Sequence, residues 1–525
     1  MLTRPSLMGA PYFPVFHLLL HQAHGGGSNA YTSTENTNYY FDVLAGHLEK
    51  TLDQFSAFFV CPLFTASATS RELEAVNSEN AKNLLSDMWR SFQLQKSTAD
   101  PEHPFSKFGT GNRETLETVP AGKGIDVRQV LLDFHEKFYS ASIMKLCVVG
   151  REPLDELQAM VEPRFSRIRN NGVVPPEYKE GSPYISGLHL PRRLSVVPVK
   201  DLRTVELGWP TRSLLSEYRQ KPAGYVSHII GHEGPGSLLS LLKAKGLADS
   251  LSAGMFTNVR GFGMFAISID TTEDGIERVD DIVMYCYQYI KMLRESGTPR
   301  WIFDESQKIA ENTFRFKSKE NPQSYATTVA SRMNNGYAPE DTLSGAYLYQ
   351  EFDEAAIKSV VACLTPGNMR LQCTHRGFEA VADKAEAWYG TKYHEAEIPA
   401  EKLALWADPP ELDAALHLPR PNELIASDFA LRCESGGDAA PGVKGVVEGP
   451  PPPPAQVQST PTSSVWHKMD TEFGLPKSYV NLMMLSPEAY ASPRAVVLSR
   501  LYSEVVKDAL NEFAYDAEVA GLNYS

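Results

Sequence analysis

Three carboxylates, Glu72, Glu74 and Glu79, stand close together in a polar stretch with helical character. Glu72 and Glu79 are seven residues apart, so at 100° per residue they fall on nearly one helical face, two turns apart. Two carboxylates placed in this way suit a metal ligand and its supporting partner, and they equally suit a solvated acidic face. His17 and His21 are four apart, the spacing at which one helix offers two imidazoles to zinc. Hydrolysis at such a site also needs a base for the proton of bound water. In the inverted motif H-x-x-E-H that base is the Glu before the second His. Here the position is Leu20, which accepts no proton. His232-Glu233-Gly-Pro-Gly ends in helix breakers and reads as a loop opening a helix at Ser237. His135-Glu136 and His394-Glu395 lack a second His at H-E-x-x-H spacing, and no phosphate-binding glycine loop, G-x-S-x-G elbow or kinase signature is present.

The elements that must carry these residues mix strands and helices without a regular βαβ rhythm, which predicts an α+β architecture. Residues 38–43 are rich in aromatic and β-branched side chains and predict a strand. Residues 45–61 follow with helical spacing of Leu48, Leu52, Phe55 and Phe59. Thr69 and Ser70 can cap one long helix from Arg71 to about Gln95. Strands are expected over 143–149, 195–199 and 263–270, and helices over 236–245 and 275–295.

The 525 residues exceed one compact domain. Gly and Pro cluster over 170–191, and 433–464 reads CESGGDAAPGVKGVVEGPPPPPAQVQSTPTSS, with five consecutive prolines. A stretch of that composition buries no core and is stiff where the prolines run, so it reads as a linker. Apolar residues make up 42% of the chain, which excludes wholesale disorder. Fifty basic against 64 acidic residues give −14, which argues against a nucleic-acid or anionic-membrane binder. No apolar run is long enough to span a bilayer. Six scattered cysteines without a C-x-x-C pair predict a reducing, cytoplasmic setting.

Beyond these readings, several ordered strings resemble one family. Ser28-Asn-Ala-Tyr-Thr-Ser-Thr-Glu-Asn-Thr-Asn-Tyr-Tyr-Phe-Asp-Val43 is similar to the active-site edge strand of the pitrilysin family of inverted-motif zinc metallopeptidases. Arg71-Glu-Leu-Glu-Ala-Val-Asn-Ser-Glu79, Trp89-Arg-Ser-Phe-Gln-Leu94 and His103-Pro-Phe-Ser-Lys-Phe-Gly-Thr-Gly-Asn112 follow in the family's order. So do His232-Glu-Gly-Pro-Gly-Ser-Leu-Leu-Ser240 and Asn511-Glu-Phe-Ala-Tyr-Asp-Ala-Glu-Val-Ala-Gly521.

The resemblance implies tandem homologous two-layer α+β domains, each a mainly antiparallel sheet with helices packed on one face. With the linker, it divides the chain into a divergent segment 1–23, a first peptidase-like domain 24–175 and a second, inactive-type domain 176–430. The linker follows at 431–464, and a third domain begins at 465–525. It implies Glu79 as third zinc ligand and Glu72 as its supporting carboxylate. Asn29, Ala30 and Tyr31 would bind substrate as an added strand, with Trp89 and Phe92 walling the cleft, although packing is the ordinary role of such aromatics. Gly231, Glu233, Leu251, Ala253 and Met255 would form an exosite for the substrate's N-terminus. The family's H-x-x-E-H helix is unmatched: its place is upstream of Asn29, and residues 1–23 resemble nothing in the family.

The expectation is therefore a zinc metalloendopeptidase fold in a chain that is incomplete and inactive alone and holds no zinc by itself. A non-catalytic peptide-binding paralogue or partner subunit is the alternative. The expected partners are peptide substrates and a second copy or a C-terminal half, with no nucleic acid and no membrane.

Overall fold

The computed structural model describes residues 24–178, 180–431, 453–469 and 474–524. His17 and His21 lie outside the described residues, as does the linker between 432 and 452. The chain forms two compact units, one of residues up to 310 with 318–421, the other of 311–317 with 422 onward.

The first unit opens with an antiparallel hairpin, β1 (Gly27–Thr32) and β2 (Thr37–Asp42). Tyr39 and Phe41 of β2 pack on Phe58 and Phe55 of α1 (Leu48–Val60), the helix expected from its apolar spacing. Phe58, Phe64, Val76, Leu131 and Tyr139 form a small core with Tyr39 at its edge. Tyr39 and Tyr139 share a 2.5 Å hydroxyl contact there.

The single long helix expected over 71–95 is instead two, α2 (Ala66–Asn83) and α3 (Asp87–Ser97). The cap of α2 is Thr65, whose hydroxyl accepts from Ala68 N–H at 3.3 Å, rather than Thr69 or Ser70. The break has a tertiary cause. Asp87 accepts the backbone N–H groups of Val199 and Lys200 at 2.7 and 2.9 Å, and Arg90 donates to the carbonyls of Leu84 and Tyr389. Those bonds turn the chain so that α3 lies on the second part of the unit. Residues 143–149, expected as a strand, carry no ladder bonds. Met144 and Val148 pack inward, but a strand requires a paired neighbour, and no described strand adjoins it.

Two further helices, α4 (Val127–Phe138) and α5 (Leu154–Phe165), complete this part. Beyond the loop after Phe165 stands a seven-stranded sheet in the order β5-β6-β4-β7-β3-β9-β8. Its strands are β3 (Arg192–Val196), β4 (Thr204–Thr211), β5 (Ala248–Val259), β6 (Phe262–Thr271), β7 (Arg370–Thr374), β8 (Lys384–Ala385) and β9 (Lys392–Glu397). Neighbours are antiparallel except β3 with β7.

Strand alternation sends Val205, Leu207 and Trp209 with Ile267, Ile269, Leu371 and Cys373 to one face. On that face they meet α6 (Pro222–Ile230), α7 (Leu238–Ala244) and α8 (Val279–Ser296). The other face presents Glu206, Arg370, Gln372 and Thr374, together with Leu194 and Val196. Helix α3 covers it: Leu94 packs on Leu194 and Val196, Gln95 Nε2 donates to Glu206 at 2.9 Å, and Gln372 Nε2 donates to Ser91 at 2.8 Å. Arg370, itself buried, donates to Thr98 Oγ1 at 2.6 Å.

In the second unit, β10 (Ala455–Ser459) and β11 (Ser464–His467) pair as a hairpin, so part of the stretch expected as linker is ordered. A 27-residue helix, Pro493–Val519, follows, and Asn422 Nδ2 donates to the carbonyl of its Asp516 at 2.6 Å. None of the five cysteines among the described residues is in a disulfide. No described helix is long and apolar enough to cross a membrane.

Burial pushes the Glu206 carboxyl above its ordinary value of 4.5, against the opposing pull of Arg370 and Gln95. A raised folded-state value means that the native protein binds more protons than the unfolded one, so this group costs stability as pH rises through that range. Glu206→Gln keeps an acceptor for Gln95 and removes the charge. Its urea midpoint relative to the parent should climb between about pH 4 and about pH 7. A difference that stays flat over that interval would refute the charge argument.

Candidate functional site

The residues singled out above fall on four elements of the first unit, β1, α2, α3 and β5, and on the loop after α6. The first is β1, which carries Asn29, Ala30 and Tyr31. Among the described residues β1 pairs with β2 alone, so no described strand lies on its other edge. On that edge Asn29 Oδ1 accepts the N–H of Ala30 at 2.8 Å, a local bond that a competing main chain could replace. Asn29 and Tyr31 are exposed, and Ala30 is half-buried.

The second element is α2. Its face of Glu72, Val76 and Glu79 is set by spacing, and Val76 packs in the core to which Tyr39 of the hairpin belongs. Glu72 is 3% exposed, which overturns a solvated acidic face at that position, whereas Glu74 is exposed and pairs with Arg113. Glu79 is half-buried.

Zinc asks for three protein donors with nitrogen, sulfur or carboxylate ligands. No group of three His, Cys, Asp or Glu side chains among the described residues is placed to hold a metal ion. Glu79 and Glu72 alone do not fit zinc, and no step is routed through it.

The third element is β5, an outer strand of the large sheet that among the described residues pairs with β6 alone. Leu251, Ala253 and Met255 lie opposite Ile269, Ile267 and Phe265, so they share the face on which α6 packs. Gly231 ends α6, and a Cβ there would stand 2.9 Å from the Ser227 carbonyl oxygen and 3.9 Å from Ala253 Cβ. The tight contact is with the carbonyl of its own helix, so glycine relieves crowding at the end of α6, while Ala253 of β5 lies at ordinary contact distance. Glu233 is half-buried in the loop that follows. Gly231 thus stands beside Ala253 of β5, and Glu233 is two residues further along the chain.

Trp89 and Phe92 of α3 stand edge to face at 6.4 Å, and Phe92 also meets Phe105 at 6.4 Å and Phe256 of β5 at 6.3 Å. The aromatics therefore pack as a cluster, one of whose members, Phe256, is half exposed.

Two features escaped the sequence reading. His228 and His232 are also four apart, with rings 6.1 Å apart edge to face, at the end of α6 and the start of the loop after it. Burial lowers His232 to about 4, helped by His228, so it is a neutral ring whose Nδ1 accepts Gly234 N–H at 3.0 Å. Its place in the broken His232-Glu-Gly-Pro-Gly string pointed to a loop but not to this bond. The second is the set of polar contacts from Glu35, Asn38 and Asp42 to distant parts of the unit, for which local sequence carries no signal.

Family comparisons match this geometry. The model described as Insulinase (Peptidase family M16) matches residues 18–102, and that of the peptidase M16 inactive domain matches 126–310. The middle or third domain of peptidase M16 matches 314–525. Insulin-degrading enzyme of Homo sapiens is 43% identical over 501 residues, which is 95% of this chain and 48% of that protein. The A-factor-processing enzyme of Saccharomyces cerevisiae is 40% identical over 96% of this chain and 47% of that one. A crystal structure of pitrilysin superposes with a TM-score of 0.81 at 28% identity, covering 99% of this chain and 54% of that one. The chain spans about half the length of the curated relatives it matches. With an open edge strand, a helix of paired carboxylates and an α+β layer sheet behind them, the chain belongs to the insulinase (M16) peptidase family.

Proposed function

We propose that this chain is the peptide-holding part of an M16-type zinc metalloendopeptidase, and that by itself it binds peptides without cleaving them. The observation that carries this reading is the pair of outer strands. Both β1 and β5 leave a backbone edge unpaired among the described residues, and each carries the side chains assigned to substrate. An extended peptide adds to such an edge through main-chain hydrogen bonds, which read few side chains and so accept many sequences. In this reading Asn29, Ala30 and Tyr31 pair with the substrate strand, and Gly231, Glu233, Leu251, Ala253 and Met255 hold its N-terminus. Trp89 and Phe92 border the path between them.

Glu79 is the carboxylate this chain offers to zinc, steadied by Glu72. The two imidazoles of an H-x-x-E-H motif occur nowhere in the 525 residues. Without the base and the histidines, catalytic groups that work together are lost together, at a cost of about 10⁴ or more in rate. The partners are therefore peptides and either polypeptide that completes the site or a second copy. A cytoplasmic setting fits the unpaired cysteines.

Two measurements test the reading. Ala30→Pro removes one outward N–H where an edge strand tolerates proline, so it should weaken peptide binding by about tenfold while leaving the unfolding midpoint nearly unchanged. Unchanged affinity for a fluorescent peptide would refute strand addition at β1. The dialysed full chain should hold far less than one zinc per molecule and should not cleave a quenched fluorescent peptide. Stoichiometric zinc with chelator-sensitive cleavage would mean instead that His17 and His21 complete a site with Glu79.

A further inference from the structure

The hairpin that presents β1 is held by contacts from the second part of the unit. Its turn, residues 33–36, closes with Ser33 N–H on the Asn36 carbonyl at 2.8 Å. From this turn the Glu35 carboxylate accepts the backbone N–H of Arg260 at 2.9 Å. Arg260 follows directly on the last residue of β5, and its guanidinium donates to the Asn334 carbonyl at 3.4 Å.

Asn334 ends helix α9 (Pro322–Asn334), which lies along β2. At mid-strand Asn38 Nδ2 donates to the Thr327 carbonyl at 3.1 Å. At the far end Gln323 Nε2 donates to Asp42 Oδ1 at 2.7 Å, and the same oxygen accepts Gly27 N–H at 3.2 Å. Helix α9 therefore occupies the β2 side of the hairpin and leaves β1 as the open edge. At the turn, hairpin, β5 and α9 meet in one node.

We infer that Glu35 is a positioning residue: through its bond to Arg260 N–H it fixes the spacing between the two peptide-binding strands, β1 and β5, and so sets which peptide lengths can engage both. The inference rests on the proposed function and deepens it. A strand rises about 3.3 Å per residue, so a rigid separation becomes a minimum length for any peptide that reaches from one edge to the other. A flexible separation gives no such threshold. The Glu35 side chain sits where burial raises its carboxyl above the ordinary value despite the Arg260 charge and N–H, as expected of a contact partly withdrawn from water. Neither Glu35 nor Arg260 is assigned to peptide binding, and Asn38, Gln323 and Asp42 hold the hairpin base independently of Glu35.

The test uses the full chain and fluorescein-labelled unstructured peptides with free N-termini, from about 6 to about 20 residues. Affinity for the parent should rise in a step once a peptide is long enough to reach both strands. In Glu35→Ala the step should shrink by about tenfold for the long peptides, while the short ones bind as before. Glu35→Gln, whose side-chain oxygen still accepts from Arg260 N–H, should restore the step. Amide exchange should accelerate at Arg260 and over residues 33–36 in the Ala variant alone, which reports that the clamp, and not the whole fold, has opened.

A step of equal size in Glu35→Ala, with exchange at Arg260 accelerated, would overturn the inference and leave the proposed function intact. An equal loss at every length, or loss without rescue by Gln, would also overturn it, since a merely structural role has that signature. No binding by the parent at any length would overturn the proposed function itself.

Discussion

The architecture of the first unit depends on covering the second face of the seven-stranded sheet. One face is sealed by α6, α7 and α8 over an apolar layer. The opposite face alternates polar and apolar residues, with Glu206, Arg370 and Gln372 among Leu194 and Val196, and would lose solvation without gaining partners if it packed on a plain apolar helix. Helix α3 answers with Leu94 for the leucine and valine and with Ser91, Gln95 and Thr98 for the polar groups. Each buried polar group that finds a partner avoids a penalty of about 1–3 kcal/mol, so the seam specifies its register.

That seam determines where the binding elements lie. Because α3 is fixed on the sheet, Phe92 reaches Phe256 of β5, and Arg90 is bound to the carbonyl of Tyr389 on the far side. Helix α2, joined to α3 by three residues, is then held at the start of the same seam with Glu72 turned inward. The hairpin is located separately, by α9 and the β5–β6 turn. The unit thus carries two outer strands on one scaffold, with different fastenings. An edge that is left open needs both neighbours of its hairpin or sheet accounted for, and here α9 and β6 supply them.

Much of this was legible in the sequence. Aromatic and β-branched composition marked β2, and apolar spacing marked α1, because each of those patterns reflects burial of one face by the element itself. The long strings around Ser28, Arg71 and His232 carried the family, and with it the choice of candidate site residues. The misreadings share a cause. Residues 71–95 have continuous helical propensity, and nothing local signals a break at Leu84–Ser86. The break exists because Asp87 and Arg90 have partners at Val199, Lys200 and Tyr389, more than a hundred residues away. Likewise the apolar run at 143–149 has the composition of a strand, but a strand is a relation between two segments, and composition describes only one.

The sequence by itself determined the α+β class, the acidic balance, and the identity and order of the candidate site residues. These follow from side-chain type and local spacing, which act over a few residues. Only the tertiary structure decided that Glu72 is buried while Glu74 is not, that β1 and β5 stand at sheet edges, and that Glu35 meets Arg260. Those outcomes depend on which distant surface supplies a partner, and the free energy of such a contact belongs to the pair.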